Sequence, residues 1–377
     1  MRLALITRRF DPAGGGTERD LAVTAGILAR AGHQVTIYAA EVRAPSSDWI
    51  VKRVPTPPLG RAIRLLWFAR SAGAIARRDG AELVVSFARI IDADVLRSGG
   101  GAHSSYLRAA RRWRSSAGAA AMRLAPYHRV QIAVEAAGFR NPRMRRAIAV
   151  SNLVRDDLNT TFQLAPGVAT AIYNGVELDR FRPEPDSAAR GEIRRRLGLG
   201  DGDFAALFVG NGFARKGLRY LIEAWPPANP NARLVVIGAD RQTNDYRTLA
   251  HRRGLDGAVT FLGSRNDVDL LMRGADALAL PSLFEPFGNV AVEAMASGAP
   301  ALVSAWCGAA EVMPPDLRRF VVANPLDSAE MTAKLGGLIE QAPSLRAAAR
   351  AAAEACTWER HGRELLALID EAAALRR

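Results

Sequence analysis

The sequence predicts an α/β protein made of two doubly wound, parallel-sheet domains that face each other across a cleft. Three observations support this prediction. The chain has 377 residues, about half of them apolar; short β-branched runs alternate with amphipathic helical stretches; and the pattern restarts in the second half. A chain of this length exceeds what one hydrophobic core usually supports. Alternating strands and helices are typical of parallel sheets, which bind ligands at the carboxyl ends of their strands.

The first half opens with a βαβ pattern. The apolar run LALIT is followed by a helical stretch from about Thr17 to Ala31 and then by QVTIYAA. Gly32 lies where a helix C-cap residue is expected. ELVVSF at 82–87 and AIAVS at 147–151 are further predicted strands, and the polar segment FRPEPDSAARG then separates the halves.

The second half repeats the alternation. Its predicted strands are FAALFVG (204–210), LVVIG (234–238), TFLG (260–263), ALALPS (277–282) and ALVS (301–304). A helical segment separates each from the next, so a second parallel sheet is expected.

Composition excludes several classes of protein. Cys307 and Cys356 are the only cysteines, too few for a disulfide framework or a structural zinc site. No run of eighteen apolar residues occurs, and the opening MRLALITRRF is interrupted by Arg8 and Arg9, which favours a first strand over a signal peptide. We therefore expect a soluble protein of a reducing cytoplasm.

The positive charge is concentrated in one segment. Residues 59–146 hold seventeen Arg against five acidic residues, which accounts for +12 of the formal net charge of +13. A general preference for Arg explains Arg over Lys but not this clustering. The segment predicts a face that contacts an anionic membrane surface or an acceptor phosphate. The residues of this predicted face are Arg61, Arg64, Arg108, Arg111, Arg112 and Arg114. Nucleic acid is disfavoured as a partner, because the segment has no interleaved aromatic platform.

The most informative stretch is ALALPSLFEPFGNVAVEAMASGAPALVS. A predicted strand ends at Pro281, a loop carries Glu285, and a helix that begins near Asn289 carries Glu293. Phe287 precedes this helix, whose first backbone N–H groups, those of Gly288, Asn289 and Val290, are suited to a phosphate or a sugar hydroxyl. Carboxylates beside such a helix terminus can accept hydrogen bonds from hydroxyls.

The run E-P-F-G-x-x-x-x-E, followed by A-x-x-S-G-x-P, resembles the donor-binding signature of the family 4 retaining glycosyltransferases, which have the GT-B fold. The resemblance implies that Glu285 contacts the transferred sugar in the catalytic site and that Glu293 binds the ribose hydroxyls. It also implies an acceptor-binding domain at residues 1–183 and a nucleotide-sugar-binding domain at 184–356. The final helix, 357–377, is expected to cross back to the first domain.

A second stretch, LFVGNGFARKGLRYLIEA, places Asn211, Arg215 and Lys216 after a strand and before a helix. Arg215 and Lys216 can neutralise a diphosphate, although an exposed basic pair without a ligand is the alternative. The family commonly has Arg where this chain has Asn211. The variant VGxxFxRKG resembles the lipopolysaccharide core glucosyltransferase subgroup, in which Arg215 would supply the missing cation. By the same resemblance, the loop Gly263–Arg265 lies near the nucleobase.

Two further loops carry candidate residues. DPAGGGTERDL contains Gly14, Gly15 and Gly16 between the first strand and helix. Alone these glycines could form only a flexible turn, but the family match G-G-x-x-R-D implies that Gly15 and Gly16 close over the donor phosphates. RSGGGAHSSYLRAARRW contains His103, which we place in a loop after the glycines. Family members often have a His here, so His103 is a candidate catalytic residue; an ordinary surface or phosphate-contacting His remains the alternative.

These features favour a metal-independent enzyme that needs no cofactor and uses a nucleotide-diphospho-sugar as its donor. Glucose from UDP-glucose, transferred to a lipopolysaccharide core or related anionic glycolipid or phosphorylated glycan, is the expected reaction. We expect the enzyme to be cytoplasmic and peripheral on the inner face of the cytoplasmic membrane. A catalytically silent sugar- or headgroup-binding protein on the same scaffold remains open. A nicotinamide oxidoreductase is disfavoured because the glycine spacing is not GxGxxG.

Overall fold

The structure is a computed structural model that describes residues 1–11, 16–44, 46–200, 202–226 and 229–375. The chain divides into two compact units. The first unit comprises Met1–Asn174 with Glu359–Arg377, and the second comprises Gly175–Trp358. Each is described by itself.

The first unit alternates strands and helices. Its described strands are β1 (Arg2–Phe10), β2 (Gln34–Val42), β3 (Ile50–Arg53), β4 (Leu83–Ser86), β5 (Val95–Ser98), β6 (Arg146–Ala149) and β7 (Ala169–Ala171). Its helices are α1 (Gly16–Arg30), α2 (Arg61–Arg78), α3 (His103–Ala109), α4 (Ser116–Leu124), α5 (Pro126–Phe139) and α6 (Asn152–Phe162), with a 3-10 turn at Ala110–Arg112.

The strands of the first unit form one parallel sheet in the order β3-β2-β1-β4-β5-β6-β7. The strand order reverses between β1 and β4, so the loops after these strands diverge and leave a crevice at their carboxyl ends. The core contains Leu5 of β1, Leu28 of α1 and Val85 of β4, all fully buried. Leu365 and Ile369 belong to the same core cluster, so the last helix of the chain packs on this unit.

The second unit repeats the design. Its described strands are β8 (Phe204–Val209), β9 (Ala232–Ile237), β10 (Val259–Gly263), β11 (Ala277–Leu280), β12 (Ala301–Ser304) and β13 (Val321–Val322). Its helices are α7 (Ser187–Arg196), α8 (Leu218–Ala224), α9 (Thr243–Arg252), α10 (Val268–Gly274), α11 (Asn289–Ala296), α12 (Pro315–Arg318) and α13 (Ser328–Glu354), with a 3-10 turn at Gly308–Val312. The final helix, α14 (Trp358–Ala374), begins at the boundary with the first unit.

The sheet of the second unit is also parallel, in the order β10-β9-β8-β11-β12-β13. Its order reverses between β8 and β11. The fold class predicted from the sequence, two doubly wound parallel α/β units, is confirmed. Every strand predicted above is present, with ends that differ by at most three residues.

The unit boundaries lie at Asn174/Gly175 and Trp358/Glu359, whereas the sequence placed them at 183/184 and 356/357. Gly175, the first residue of the second unit, lies against Trp358, its last residue. A Cβ atom on Gly175 would lie 2.4 Å from the backbone nitrogen of Trp358, so the chain can pass this point only where it has no side chain. No helix in the described part of the chain is long and apolar enough to cross a membrane.

Candidate active site

The first candidate site lies in the second unit, at the point where its strand order reverses. The loop after β8 carries Arg215 and Lys216, and the loop after β11 carries Glu285. The backbone N–H of Leu283 donates to the carbonyl of Arg215 at 2.8 Å, which joins the two loops. The β8 and β11 ends of a doubly wound sheet are therefore held together at the edge where ligands of such sheets bind.

Glu285 is the centre of this site. Its Oε2 atom accepts from Lys216 Nζ at 2.9 Å and from Arg215 Nη1 at 3.1 Å. Arg215 Nη1 also donates to the carbonyl of Phe284 at 2.7 Å, which fixes the guanidinium over the loop. Both cations reach the same carboxylate oxygen, and no described residue donates to Oε1. That oxygen keeps its capacity to accept a hydrogen bond from a hydroxyl.

The electrostatics keep Glu285 ionised. Burial raises the pKa of the carboxyl, but Lys216 and Arg215 more than offset this, so its pKa lies below the ordinary value. A carboxylate in this state accepts hydrogen bonds and does not donate a proton at neutral pH. The site is therefore suited to holding hydroxyl groups beside two cations and not to acid catalysis by Glu285.

Close backbone approach gives the site its shape. Gly210, at the end of β8, has a φ of +129°, and a Cβ atom there would lie 2.5 Å from Cε of Lys216. Gly288, before α11, has a φ of +95°, and a Cβ atom there would lie 2.8 Å from Sγ of Cys307. Only glycine combines these backbone angles with these contacts. The Cys307 thiol donates to the carbonyl of Phe287 at 3.2 Å, which holds the loop before the helix.

The remaining predicted donor-binding residues of this loop lie at the start of α11 and along it. Gly288 is the N-cap of α11 and has a left-handed backbone conformation, and Asn289 and Val290 form the first turn of the helix. Glu293 lies further along α11; its charge, added to the larger contribution of Asp269, raises the pKa of Arg180.

Two predicted donor residues are engaged with protein groups. Asn211 is exposed, and its Oδ1 accepts from the backbone N–H of Ala239 at 2.8 Å, joining the β8 and β9 loops. Arg265 is also exposed and makes a two-pronged contact with Asp267, at 2.9 and 2.7 Å. Their roles toward a nucleotide stay predictions.

The second candidate site lies in the first unit. His103 is the first residue of α3, not a loop residue as the sequence predicted, and it is buried. The backbone N–H of His103 donates to Oε2 of Glu135 at 2.7 Å, so a carboxylate caps the helix that the glycines precede. The Nε2 of His103 lies 2.9 Å from Nδ1 of His128, and the ring stacks on Tyr106 with centroids 5.8 Å apart.

This environment keeps the His103 imidazole neutral. Burial lowers its pKa to about 4, with added repulsion from Arg89 and His128. The pKa of Glu135 is raised by burial, despite the ion pair that its carboxylate makes with Arg89 Nε at 2.8 Å. His103 is therefore a hydrogen-bonding group at neutral pH, and His128 and Glu135 fix its position.

A cavity of about 390 Å³ lies at the carboxyl ends of β1, β4 and β5, and Glu135, which accepts from the His103 backbone N–H, lines it. The residues that line it include Thr7, Arg8, Arg97, Gln131 and Glu135. The sequence reasoning missed the residues from α5, although Tyr127, Gln131 and Glu135 repeat every four positions and so lie on one face of a helix. That spacing was the available signal.

The acids nearest to His103 in sequence form ion pairs within the protein, and the glycine loop lies partly outside the described residues. Asp92 and Asp94, the acids nearest to His103 in sequence, both bind Arg77, at 3.1 and 3.0 Å. Gly16 begins α1, while Gly15 lies outside the described residues. Among the described residues, no three His, Cys, Asp or Glu side chains come together as a metal site would require.

Two family models match the chain side by side. The model described as "Glycosyltransferase Family 4" matches residues 14–180, and "Glycosyl transferases group 1" matches residues 189–355. The chain belongs to the family 4 glycosyltransferases.

Curated relatives match part of the chain. The chain is 34% identical over 172 residues to the uncharacterized glycosyltransferase MJ1607 of Methanocaldococcus jannaschii, which covers 45% of the chain and 44% of that protein. It is 29% identical over 225 residues to the lipopolysaccharide glucosyltransferase WaaG of Escherichia coli, which covers 59% of the chain and 60% of WaaG. The chain thus spans about half the length of these two relatives.

Solved structures cover the chain more fully. The crystal structure of WaaG, a glycosyltransferase involved in lipopolysaccharide biosynthesis, aligns with a TM-score of 0.78 at 24% identity, over 96% of this chain and 98% of that one. HepE of Anabaena in complex with UDP-glucose aligns with a TM-score of 0.72 at 18% identity, over 98% and 100%. At these identities the likeness establishes the fold, which is GT-B.

Proposed function

We propose that this protein is a retaining glycosyltransferase that transfers a hexose from a nucleotide-diphospho-sugar to an anionic glycolipid. Glucose from UDP-glucose is the proposed donor, and a lipopolysaccharide core or related glycan is the proposed acceptor. The observation that carries the proposal is the ionised Glu285, held by Lys216 and Arg215 where the strand order of the second unit reverses. Membership of the glycosyltransferase family and the UDP-glucose complex of HepE support the nucleotide sugar.

The chemistry assigned to this site is binding and charge stabilisation. The Oε1 atom of Glu285 accepts from a hydroxyl of the transferred sugar, while Lys216 and Arg215 face the donor diphosphate. As the bond between the anomeric carbon and the β-phosphate oxygen breaks, negative charge grows on the diphosphate, and fixed cations stabilise it. Neither step needs a metal ion, so we propose a metal-independent transferase.

Retention follows, in this proposal, from attack on the face that the diphosphate leaves. The acceptor oxygen forms the new bond to the anomeric carbon, and its proton passes to the departing phosphate. Neutral His103 is proposed to hydrogen-bond the transferred sugar near that carbon. Glu285 and Glu293 act as binding groups, and no carboxylate is assigned as a nucleophile.

The Arg-rich segment supports a peripheral contact with an anionic membrane, on the cytoplasmic face. Several of its arginines are used internally, as in the pair of Arg97 with Asp20 at 3.1 Å. Exposed on the same segment are Arg111 and Arg114, together with large apolar side chains: Trp67 is 55% exposed and Leu124 is 73% exposed. Exposed cationic and apolar side chains are the types of residue that interfacial binding uses.

A donor screen tests the proposal. Thermal stabilisation of the purified protein is measured with UDP-, GDP- and ADP-sugars, followed by release of the nucleotide with each donor that binds. We expect stabilisation and turnover with UDP-glucose above other donors. Stabilisation by a donor with no turnover in the presence of a lipopolysaccharide-core acceptor favours the silent binding protein instead.

A further inference from the structure

Arg8, Arg61 and Arg64 lie beside the first-unit cavity, and Arg8 lines it. Arg8 Nη1 donates to the hydroxyl of Tyr127 at 2.9 Å, and the guanidinium of Arg61 lies over the same ring, 4.7 Å from its centroid. Arg64 and Arg8 together line a second cavity of about 410 Å³ beside the first. The three residues come from the end of β1 and the first turn of α2, and Tyr127 of α5 joins them.

These three cations differ from the others in the same region. Arg9 is paired with Glu18 at 3.0 Å, and Arg89 with Glu135 at 2.8 Å. For Arg8, Arg61 and Arg64, no carboxylate oxygen of the described residues lies within 4 Å. Glu18 and Glu41 also line the second cavity, but neither forms an ion pair with these three arginines. Like charges that lie close together repel one another, and a bound anion relieves this repulsion.

The position of Arg61 and Arg64 on α2 adds a second argument. Both lie in the first turn of an eighteen-residue helix whose first turn contains no acidic residue. The amino end of a helix carries partial positive charge, so acidic side chains are favoured there and arginines are not. Two arginines at this position, with a third from β1 beside them, form a positively charged surface that is suited to an anionic ligand.

We infer that Arg8, Arg61 and Arg64 bind a phosphate group carried by the acceptor. The inference rests on the proposed function, since it names the chemistry of the acceptor for that same reaction. Planar guanidinium groups match phosphate oxygens in pairs of hydrogen bonds. The adjoining cavity of about 390 Å³, which Thr7, Ser98 and Gln131 help to line, has the size and the polar groups to hold the sugar that bears the phosphate.

Direct binding tests the inference without using turnover. Glucose 6-phosphate and glucose are titrated into the full-length protein, and co-sedimentation is measured with vesicles of phosphatidylcholine alone or with phosphatidylglycerol. We expect glucose 6-phosphate to bind and glucose to bind at least about tenfold more weakly. The double substitution Arg8→Gln/Arg64→Gln should weaken phosphate binding by at least about tenfold.

Arg70→Gln/Arg78→Gln is the matched control, because it also removes two charges, from exposed positions of α2 that line neither cavity. Its phosphate affinity should stay at the wild-type value. Arg8→Lys, which keeps the charge but loses the fork, should bind phosphate with intermediate affinity. Arg8→Lys also keeps the inference testable if the double variant fails to fold.

The glucose 6-phosphate titration and the vesicle co-sedimentation together distinguish the source of the phosphate. Loss confined to glucose 6-phosphate assigns it to a sugar, and loss confined to phosphatidylglycerol vesicles assigns it to a lipid headgroup. Equal binding by wild-type and double-variant protein in both arms, or no binding in either, overturns the inference. Nucleotide-sugar turnover is measured separately: its absence, with phosphate binding intact and sensitive to Arg8, refutes the proposed function and leaves this site standing.

Discussion

Gly210 offers a way to displace Lys216 without substituting it. In Gly210→Ala, the new Cβ atom would lie 2.5 Å from Cε and 3.0 Å from Nζ of Lys216. The lysine must move, and its 2.9 Å contact with Glu285 is lost. A hydrogen bond between charged groups contributes about 1.5–3 kcal/mol, and the φ of +129° adds about 1–3 kcal/mol of backbone strain for alanine. We therefore expect the free energy of unfolding to fall by about 2.5–6 kcal/mol. Turnover should be about a hundredfold lower because a positioned cation is lost.

Gly212→Ala is the matched control. Gly212 also has a positive φ, +76°, but a Cβ atom there meets nothing within 4 Å. This variant should lose only the backbone term, about 1–2 kcal/mol, and keep most of its turnover. Chemical denaturation and nucleotide release from UDP-glucose give the two quantities. If Gly210→Ala matches Gly212→Ala in both stability and turnover, the Lys216–Glu285 contact has no role in the site.

Three further predictions address the rest of the chain. Burial lowers the pKa of His103 from the ordinary value of 6.5 to about 4, so the neutral imidazole stabilises the folded protein above pH 6.5 and this stabilisation is lost as the pH falls from 6.5 to 4. Urea unfolding of the wild-type protein should show a loss of about 2 kcal/mol between pH 7 and pH 5, and His103→Gln should remove this loss. Leu365→Ala should lower the free energy of unfolding by about 2–5 kcal/mol, since this side chain of α14 is buried in the first-unit core, whereas Leu375→Ala, at an exposed position, should not. Trp67→Ser should reduce co-sedimentation with phosphatidylglycerol vesicles, whereas Leu326→Ser, which removes an exposed apolar side chain of the second unit, should leave it unchanged. Equal binding by both variants would remove Trp67 from the proposed membrane contact.

The fold could be predicted because its signals are local. The strands of the second unit are continuous apolar runs, as buried parallel strands require, and glycines punctuate the loops that follow β8 and β11. Strands with weaker patterns were missed. β5 contains Arg97, whose buried charge is balanced by Asp20 and which also donates to Oδ1 of Asn174. The apolar run is therefore interrupted by a residue that only tertiary contacts can satisfy.

The residues of the sites could be predicted from local motifs, but their tertiary contacts could not. The sequence identified Glu285, Arg215 and Lys216 but not their direct contact, which joins residues about seventy positions apart. His103 was placed in a loop because α3 begins after Ala102, which has no side-chain oxygen to mark the helix start. The cap comes from Glu135, thirty-two residues later in the chain.

The central claim is that Glu285 binds the transferred sugar of a nucleotide-diphospho-sugar beside two cations. The most direct measurement compares UDP affinity and UDP-glucose turnover of the wild-type protein with those of Glu285→Gln, which keeps the size of the side chain and removes its charge. We predict that turnover falls by at least about a hundredfold while UDP binds within a few-fold of the wild-type affinity. Comparable turnover in the two proteins would contradict the account.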